Sequence, residues 1–441
     1  MKLLLTFAFA VSICAAQDGD RAAIKAQFVE KRDALRGTTD ADPYVELGNW
    51  CIEQTLKDDA KWSFQKAWEL KDGHEGARAG MKKLGFDLEG KLFRPIREIY
   101  DKRRKALAPT DADGRYELAQ YILGFGLEKD AKKEFDNVLK IDPDHPAGRK
   151  VLGFTRLYGE WLTADEVSRE KKIDECWQAA ITAKKSADEL FAELKPLAYK
   201  GKLDDVKQAL KFAESPRGTH KDVRLDAERT TYATGEYTYG VPEAYKPWRR
   251  NPLIVFLHGG GDGVGDGDDY FPQIWPHSSP KGYLTICPTV LEKISLAWNN
   301  PKHDAYLRAI VKEFKTRYNV DEERTYLMGH SMGGFGCFYH GTRMTDLFAA
   351  ISPWSGGPNQ AVLSNLKHTP IYIIHGNRDA QVNVAGSRNA AKELTNLKYY
   401  HVYVELSIDG HGVPGPEQDK AVEWLERFKL NPLAAQKKPT K

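Results

Sequence analysis

Apolar residues recur at spacings of three and four from about residue 20 to residue 215, against a background rich in Lys, Glu, Ala and Leu, and period-two alternation is scarce. That pattern predicts amphipathic helices. Its last stretch runs from Asp165 to Ala213 and stops at Ser215-Pro216-Arg217-Gly218, where a turn signal coincides with a change of period. Beyond it, "GEYTYGVP" reads as an edge-type strand, and "NPLIVFLHGGG" opens with a continuous apolar run suited to a strand buried on both faces. Further runs of this kind lie at Tyr283–Cys287, Thr325–Met328, Ala349–Ser352, Ile371–Ile374 and Tyr400–Glu405. Helix-like stretches separate them at Asp304–Tyr318, Gly333–Arg343, Ala385–Leu397 and Glu417–Phe428. Strands alternating with helices predict an α/β domain over 216–432, a mostly parallel sheet with helices on both faces, preceded by an all-α domain over 17–215.

The helical stretch repeats itself. The segment from Tyr44 to Phe86 returns in altered form from Tyr116 to Phe154, and the copies end in Leu84-Gly85-Phe86 and Leu152-Gly153-Phe154. Each copy predicts two antiparallel helices with a turn near Asp58 or Asp130. Small Ala60 and Ala131 let paired helices approach, Phe64 and Phe135 fill the groove between them, and the prolines of "IDPDHPAGR" stop the second pair. This resembles the tetratricopeptide repeat, loosely, because the copies are spaced at about twice the standard repeat length. The resemblance implies a surface for a protein partner; the alternative is a helical packing module attached to the rest of the chain.

The N-terminus adds a targeting signal. Lys2 precedes the apolar stretch Leu3–Ile13, then small Ala15 and Ala16, then polar Gln17-Asp18-Gly19-Asp20, the layout of a secretory signal peptide over 1–16. The apolar run is too short to span a bilayer, and no later stretch approaches the ~20 apolar residues of a transmembrane helix. A secreted or periplasmic chain is expected. Lipid anchoring at Cys14 is not, since Ile13 is larger than the residue such a site carries. Cys51, Cys176, Cys287 and Cys337 remain, too few for a disulfide framework in so long a chain, and buried free thiols are expected at Cys287 and Cys337.

Charge excludes one class of partner. The 65 basic and 62 acidic residues are mixed along the chain, for a net charge of +3, so no field draws in nucleic acid or an anionic membrane. Residues 433–441 form a short basic tail with Lys437, Lys438 and Lys441, expected to be solvated and disordered.

The candidate chemistry sits in the α/β half. Gly329-His330-Ser331-Met332-Gly333 follows a predicted strand directly and precedes a predicted helix. A serine on so sharp a turn needs glycine two residues before and after, where a Cβ would collide with neighbouring backbone. Upstream, His258-Gly259-Gly260-Gly261 ends a buried strand, and its amides, with that of Met332, are suited to an oxyanion hole. His258 itself is expected to shape the loop. A nucleophilic serine needs a base and an orienting acid, in the order Ser, Asp, His along such a sheet. Asp379 lies just past the strand Ile371–Ile374, and His411 lies in a glycine-rich loop after Tyr400–Glu405. His375 is expected to brace the Asp379 loop, and Asp409 to set a turn. The acids Asp262, Asp266, Asp268 and Asp269 lack the spacing of a calcium loop, so no metal is expected. Trp275, Trp298 and Trp354 are open to two readings, sugar-stacking platforms or packing.

With these motifs in order, residues from about 230 to 430 resemble the α/β-hydrolase esterase families that include feruloyl and acetylxylan esterases, polyhydroxybutyrate depolymerases and the phospholipase/carboxylesterase group. "YTYGVPEAYKP", "HGGG", "YNVDEERTYLMGHSMGG", "HGNRD" and "DGHG" carry the likeness. It implies ester hydrolysis without a cofactor, Ser331, His411 and Asp379 in the triad positions, and an ester substrate of modest size or a polysaccharide side-chain ester. Prolyl-oligopeptidase-type peptidases share these elements but carry a β-propeller where this chain is helical. A third reading is a helical-repeat binding protein whose hydrolase domain is a degenerate passenger; intact motifs speak against it.

Overall fold

In the computed structural model of the chain the apolar run at 251–257 lies inside an eight-stranded sheet. The structure describes residues 21–109, 111–224, 235–260, 264–292, 294–407 and 410–431. The expected signal peptide with Cys14, the basic tail, Gly261, Asp262 and Asp409 lie outside the described residues.

The sheet strands are β1 Gly218–Arg224, β2 Glu236–Val241, β3 Asn251–Leu257, β4 Leu284–Pro288, β5 Val320–His330, β6 Ala350–Trp354, β7 Ile371–Gly376 and β8 His401–Leu406. Their spatial order is β8-β7-β6-β5-β3-β4-β2-β1. All neighbours from β4 to β8 pair in parallel, while β2 pairs antiparallel with both β1 and β4. Side chains on a strand alternate between faces, so a strand covered on both sides must be apolar throughout. In β3, Leu253, Val255 and Leu257 enter one core with the helices Lys302–Arg317, Met332–Arg343 and Ala385–Leu397. Ile254 and Phe256 enter a second core with the helices Gly267–Ser278 and Gly415–Leu425. The unbroken apolar runs of the sequence reflect this double coverage.

The chain divides into two compact units, to Leu152 and from Gly153. The change of period falls at 215–218, where β1 begins, yet the helices Ala164–Thr182, Ala187–Leu194 and Leu203–Lys211 belong to the unit that holds the sheet. A buried polar cluster ties them to it. The Asp174 carboxylate, on the first of these helices, accepts from Tyr158, Lys246, Trp248 Nε1 (2.7 Å) and Arg249 Nε (3.0 Å). The last three lie in the segment leading into β3, and Trp177 stacks on Trp248 with ring centroids 5.6 Å apart. Sequence periodicity reports the local element, and a buried carboxylate with donors from another segment leaves no trace in it.

In the first unit the helices Asp42–Glu53, Lys57–Leu70 and Glu75–Lys83 are followed in the second copy by Ala112–Leu123, Glu128–Ile141 and Pro146–Val151. Phe64 fills the space between its neighbours so closely that a Cβ on Gly48 or Gly80 would lie 2.5 or 2.3 Å from its ring. Asp58 and Asp130 fall in the first turns of their helices, where a carboxylate suits the helix dipole, and the turns come just before them. The duplication extends to capping. His74 and His145 each accept from a backbone amide at the start of a helix, and each sets its Nε2 2.9 Å from an aspartate 32 residues earlier, Asp42 and Asp113. Two short hairpins, Phe86–Glu89 with Leu92–Pro95 and Thr155–Leu157 with Glu160–Leu162, interrupt the otherwise helical stretch. Strands of three or four residues are shorter than the window in which period two is visible.

Candidate active site

Ser331 stands between β5 and the helix Met332–Arg343 with φ 58° and ψ −119°, a conformation that costs a non-glycine residue about 1–3 kcal/mol. Its surroundings enforce it. A Cβ on Gly329 would lie 2.3 Å from the carbonyl oxygen of Gly333, and a Cβ on Gly333 would lie 1.9 Å from that of Leu257 and 2.8 Å from that of His258. The Ser331 amide donates to the carbonyl of Trp354 on β6 at 2.9 Å. These glycines let the end of β3 press against the start of the helix.

The residues in that contact, Leu257 and His258, lead directly into the Gly259-Gly260 turn, and the amide of Met332 is one of the first-turn donors that a helix cannot satisfy internally. Gly260 has φ +97°, and a Cβ there would meet the carbonyl oxygen of Val264 at 2.4 Å. His258 is fully buried and shapes the turn. Its Nε2 accepts from the Val290 amide at 3.2 Å, its Nδ1 lies 2.6 Å from the Gly259 carbonyl, and its own carbonyl accepts from Trp298 Nε1 at 3.0 Å.

His411 reaches Ser331 from the loop beyond β8. Its Nε2 lies 2.8 Å from Ser331 Oγ and its Nδ1 lies 2.8 Å from Asp379 Oδ2. A carboxylate only accepts, so Nδ1 carries the proton and Nε2 presents a lone pair to the serine hydroxyl. Asp379 is held on its other oxygen, where Oδ1 accepts from the amides of Gln381 and Val382, each at 2.9 Å. Burial works to raise the Asp379 carboxyl, but the Val382 amide, the His411 ring and the Gln381 amide together hold it below its ordinary value. The acid therefore stays ionised.

Two further histidines touch this chain. His330 Nε2 lies 2.8 Å from the carbonyl oxygen of His411, and burial pushes its ring down to about 4, so it is neutral and donates. His375 is fully buried, with Nε2 3.0 Å from the Val382 carbonyl and 3.2 Å from Asp379 Oδ2. The sequence placed His375 against the Asp379 loop but gave no sign of either backbone contact.

The side chains of the other residues weighed on sequence serve packing, capping and pairing. Trp298 and Trp354 are fully buried and serve as packing, the latter donating to Ser352 Oγ. Trp275 packs on Phe271 and covers Gly240, where a Cβ would meet its ring at 2.5 Å. Asp266 caps the helix Gly267–Ser278, and Asp268 pairs with Lys221. Among the described residues no cluster of three or more His, Cys, Asp or Glu is arranged for a metal, and Cys51, Cys176, Cys287 and Cys337 are free thiols.

Residues 273–419 match the model of the dienelactone hydrolase family. Over 140 residues the chain is 29% identical to a bifunctional acetylxylan esterase/xylanase of Neocallimastix patriciarum, an alignment covering 30% of this chain and 20% of that protein. The chain thus spans about a fifth of the curated relative it matches. Among solved structures, a thermostable esterase is 26% identical with a TM-score of 0.39, covering 50% of this chain and 64% of the other. A ferulic acid esterase is 13% identical with a TM-score of 0.41, covering 48% and 99%. The sheet unit has the α/β-hydrolase fold that its motifs imply.

Proposed function

We propose that the chain is a serine hydrolase of carboxylic esters, with Ser331 as nucleophile, His411 as general base and Asp379 as the residue that orients and stabilises the charged histidine. The observation that carries this reading is the continuous hydrogen-bonded chain from Ser331 Oγ through His411 to Asp379, ending on a serine held at positive φ.

In the first step Ser331 Oγ attacks the ester carbonyl as His411 Nε2 takes its proton. The imidazolium that forms is stabilised by ionised Asp379. The amides of Gly259, Gly260 or Gly261 and that of Met332 receive the oxyanion, each such donor contributing about 3 kcal/mol to the barrier reduction. His411 returns the proton to the departing alcohol, leaving an acyl-enzyme. Water then attacks with the same base, and the acid is released. His330, neutral and donating to the His411 carbonyl, steadies the loop without competing for the proton.

The substrate class proposed is a small or carbohydrate-linked ester. The 140-residue likeness to a protein named as a bifunctional acetylxylan esterase/xylanase supports it, and the proposal includes export through a signal peptide at 1–16 to a secreted or periplasmic location. The repeated helices would supply a surface for a protein partner. The test is hydrolysis by the mature chain across short acyl esters, feruloyl and acetylated sugar esters, and peptide amides. Turnover of esters alone supports the assignment; turnover of amides in preference to esters replaces it with a peptidase.

A further inference from the structure

The Asp379 carboxylate is shared. Oδ2 faces His411 Nδ1 at 2.8 Å and His375 Nε2 at 3.2 Å, and the second contact continues away from the serine. His375 Nδ1 lies 2.8 Å from Ser387 Oγ, and Ser387 Oγ lies 3.0 Å from the carbonyl oxygen of Gly356. His375 and Ser387 are both fully buried, as is the Asp379 side chain, so this chain is shielded from bulk water. Gly356 then abuts the helix that carries the nucleophile. A Cβ on it would lie 2.5 Å from the carbonyl carbon of Gly334 and 2.7 Å from the Phe335 nitrogen, three and four residues after Ser331.

The contacts therefore close a ring. From Ser331 it passes through His411, Asp379, His375 and Ser387 to Gly356, and returns by close packing to the helix that begins at Ser331. The proton inventory fixes the direction of one link. Val382 O can only accept, so His375 Nε2 carries the proton that reaches it, and the same N–H edge rests 3.2 Å from Asp379 Oδ2.

Resting on the esterase reading above, we infer that His375, anchored by Ser387, is a positioning residue that sets the carboxylate of Asp379 relative to the serine-bearing helix. Oδ1 is fixed by two amides of its own loop, which hold the carboxylate to that loop only. The His375 link holds it to the structure that carries the nucleophile. Misplacing a catalytic group by about 1 Å can cost on the order of 10²-fold in rate, so the link should appear in kcat and leave substrate binding alone.

The experiment compares the full chain with His375→Leu, His375→Gln and Ser387→Ala. Its readouts are the rate at which a fluorophosphonate labels Ser331, the kcat and KM for a soluble ester, and the melting temperature. The expected result is a loss of about 10²-fold in labelling and kcat for His375→Leu at nearly constant KM. Ser387→Ala should lose less, and His375→Gln, which keeps a polar N–H group facing the Val382 carbonyl and the Asp379 carboxylate, should recover at least part of the loss. His375→Leu labelling as fast as the parent overturns the inference, as does His375→Gln performing no better than Leu while equally folded. If His375→Leu does not fold, Ser387→Ala decides: unaltered labelling and kcat overturn the inference, and a loss with unchanged KM supports it. A parent chain that is not labelled at Ser331 removes the esterase reading itself, and the inference with it.

Discussion

His330 holds His411 by its backbone: Nε2 of one lies 2.8 Å from the carbonyl oxygen of the other, and the two rings lie 4.9 Å apart. The same residue is buried and its ring is pushed down to about 4, as is that of buried His303. Both bind a proton more readily in the unfolded chain, at about 6.5, than in the folded one. The stability this contributes is fully present above pH ~6.5 and is lost as pH falls toward ~4, on the order of 2–3 kcal/mol for each ring. Melting temperature measured from pH 7 to pH 4 should fall across that window, and His330→Asn should flatten the slope. An unchanged slope would show that His330 does not titrate between the two states.

Gly333→Ala places a methyl group 1.9 Å from the Leu257 carbonyl oxygen, a backbone atom that has no rotamer to escape into. The variant should lose several kcal/mol, more than ~3, and lose activity with it. Gly412→Ala, where a Cβ meets nothing within 4 Å, should leave the melting temperature nearly unchanged. Chemical denaturation of both variants checks the contrast.

Asp174→Ala removes the carboxylate on which Lys246, Trp248 and Arg249 converge, and leaves two cations partly buried without it. Breaking such a cluster from one side costs about 3–5 kcal/mol. The loss should appear in the unfolding of the sheet unit, although Asp174 lies in the helical stretch before it. A melting curve unchanged from the parent would show that residues 153–217 contribute nothing to that unit.

Asp379→Asn keeps the shape of the side chain and removes its charge. It should lower kcat by about 10³–10⁴-fold, because the amide can present a donor to His411 Nδ1 and favour the wrong tautomer. Steady-state kinetics at constant pH measure it, and a loss below tenfold would remove Asp379 from its assigned role.

Much of this was legible in the sequence, for reasons that differ by element. β3 through β7 announced themselves because both faces are covered, β8 at the sheet edge by its half-buried apolar residues, and the turns at Gly260 and Gly333 because backbone crowding leaves only glycine. Ser331, Asp379 and His411 stood out by their places at strand ends, and the fold brings them into one hydrogen-bonded chain. What stayed hidden depends on distant partners. Ser387 reads as an ordinary helix residue until the packing sets it beside His375, and Asp174 reads as an exposed helical acid until Trp248 and Arg249 close over it. Trp298 could be read as a ligand platform because its burial, with its indole on the His258 carbonyl, is a fact of tertiary structure alone.

The most direct test of the central claim is hydrolysis of a short acyl ester by the mature chain beside Ser331→Ala, with both proteins shown to be folded. The account predicts turnover by the parent and a loss of about 10⁴-fold or more in the variant; hydrolysis at the parent's rate by Ser331→Ala would contradict it.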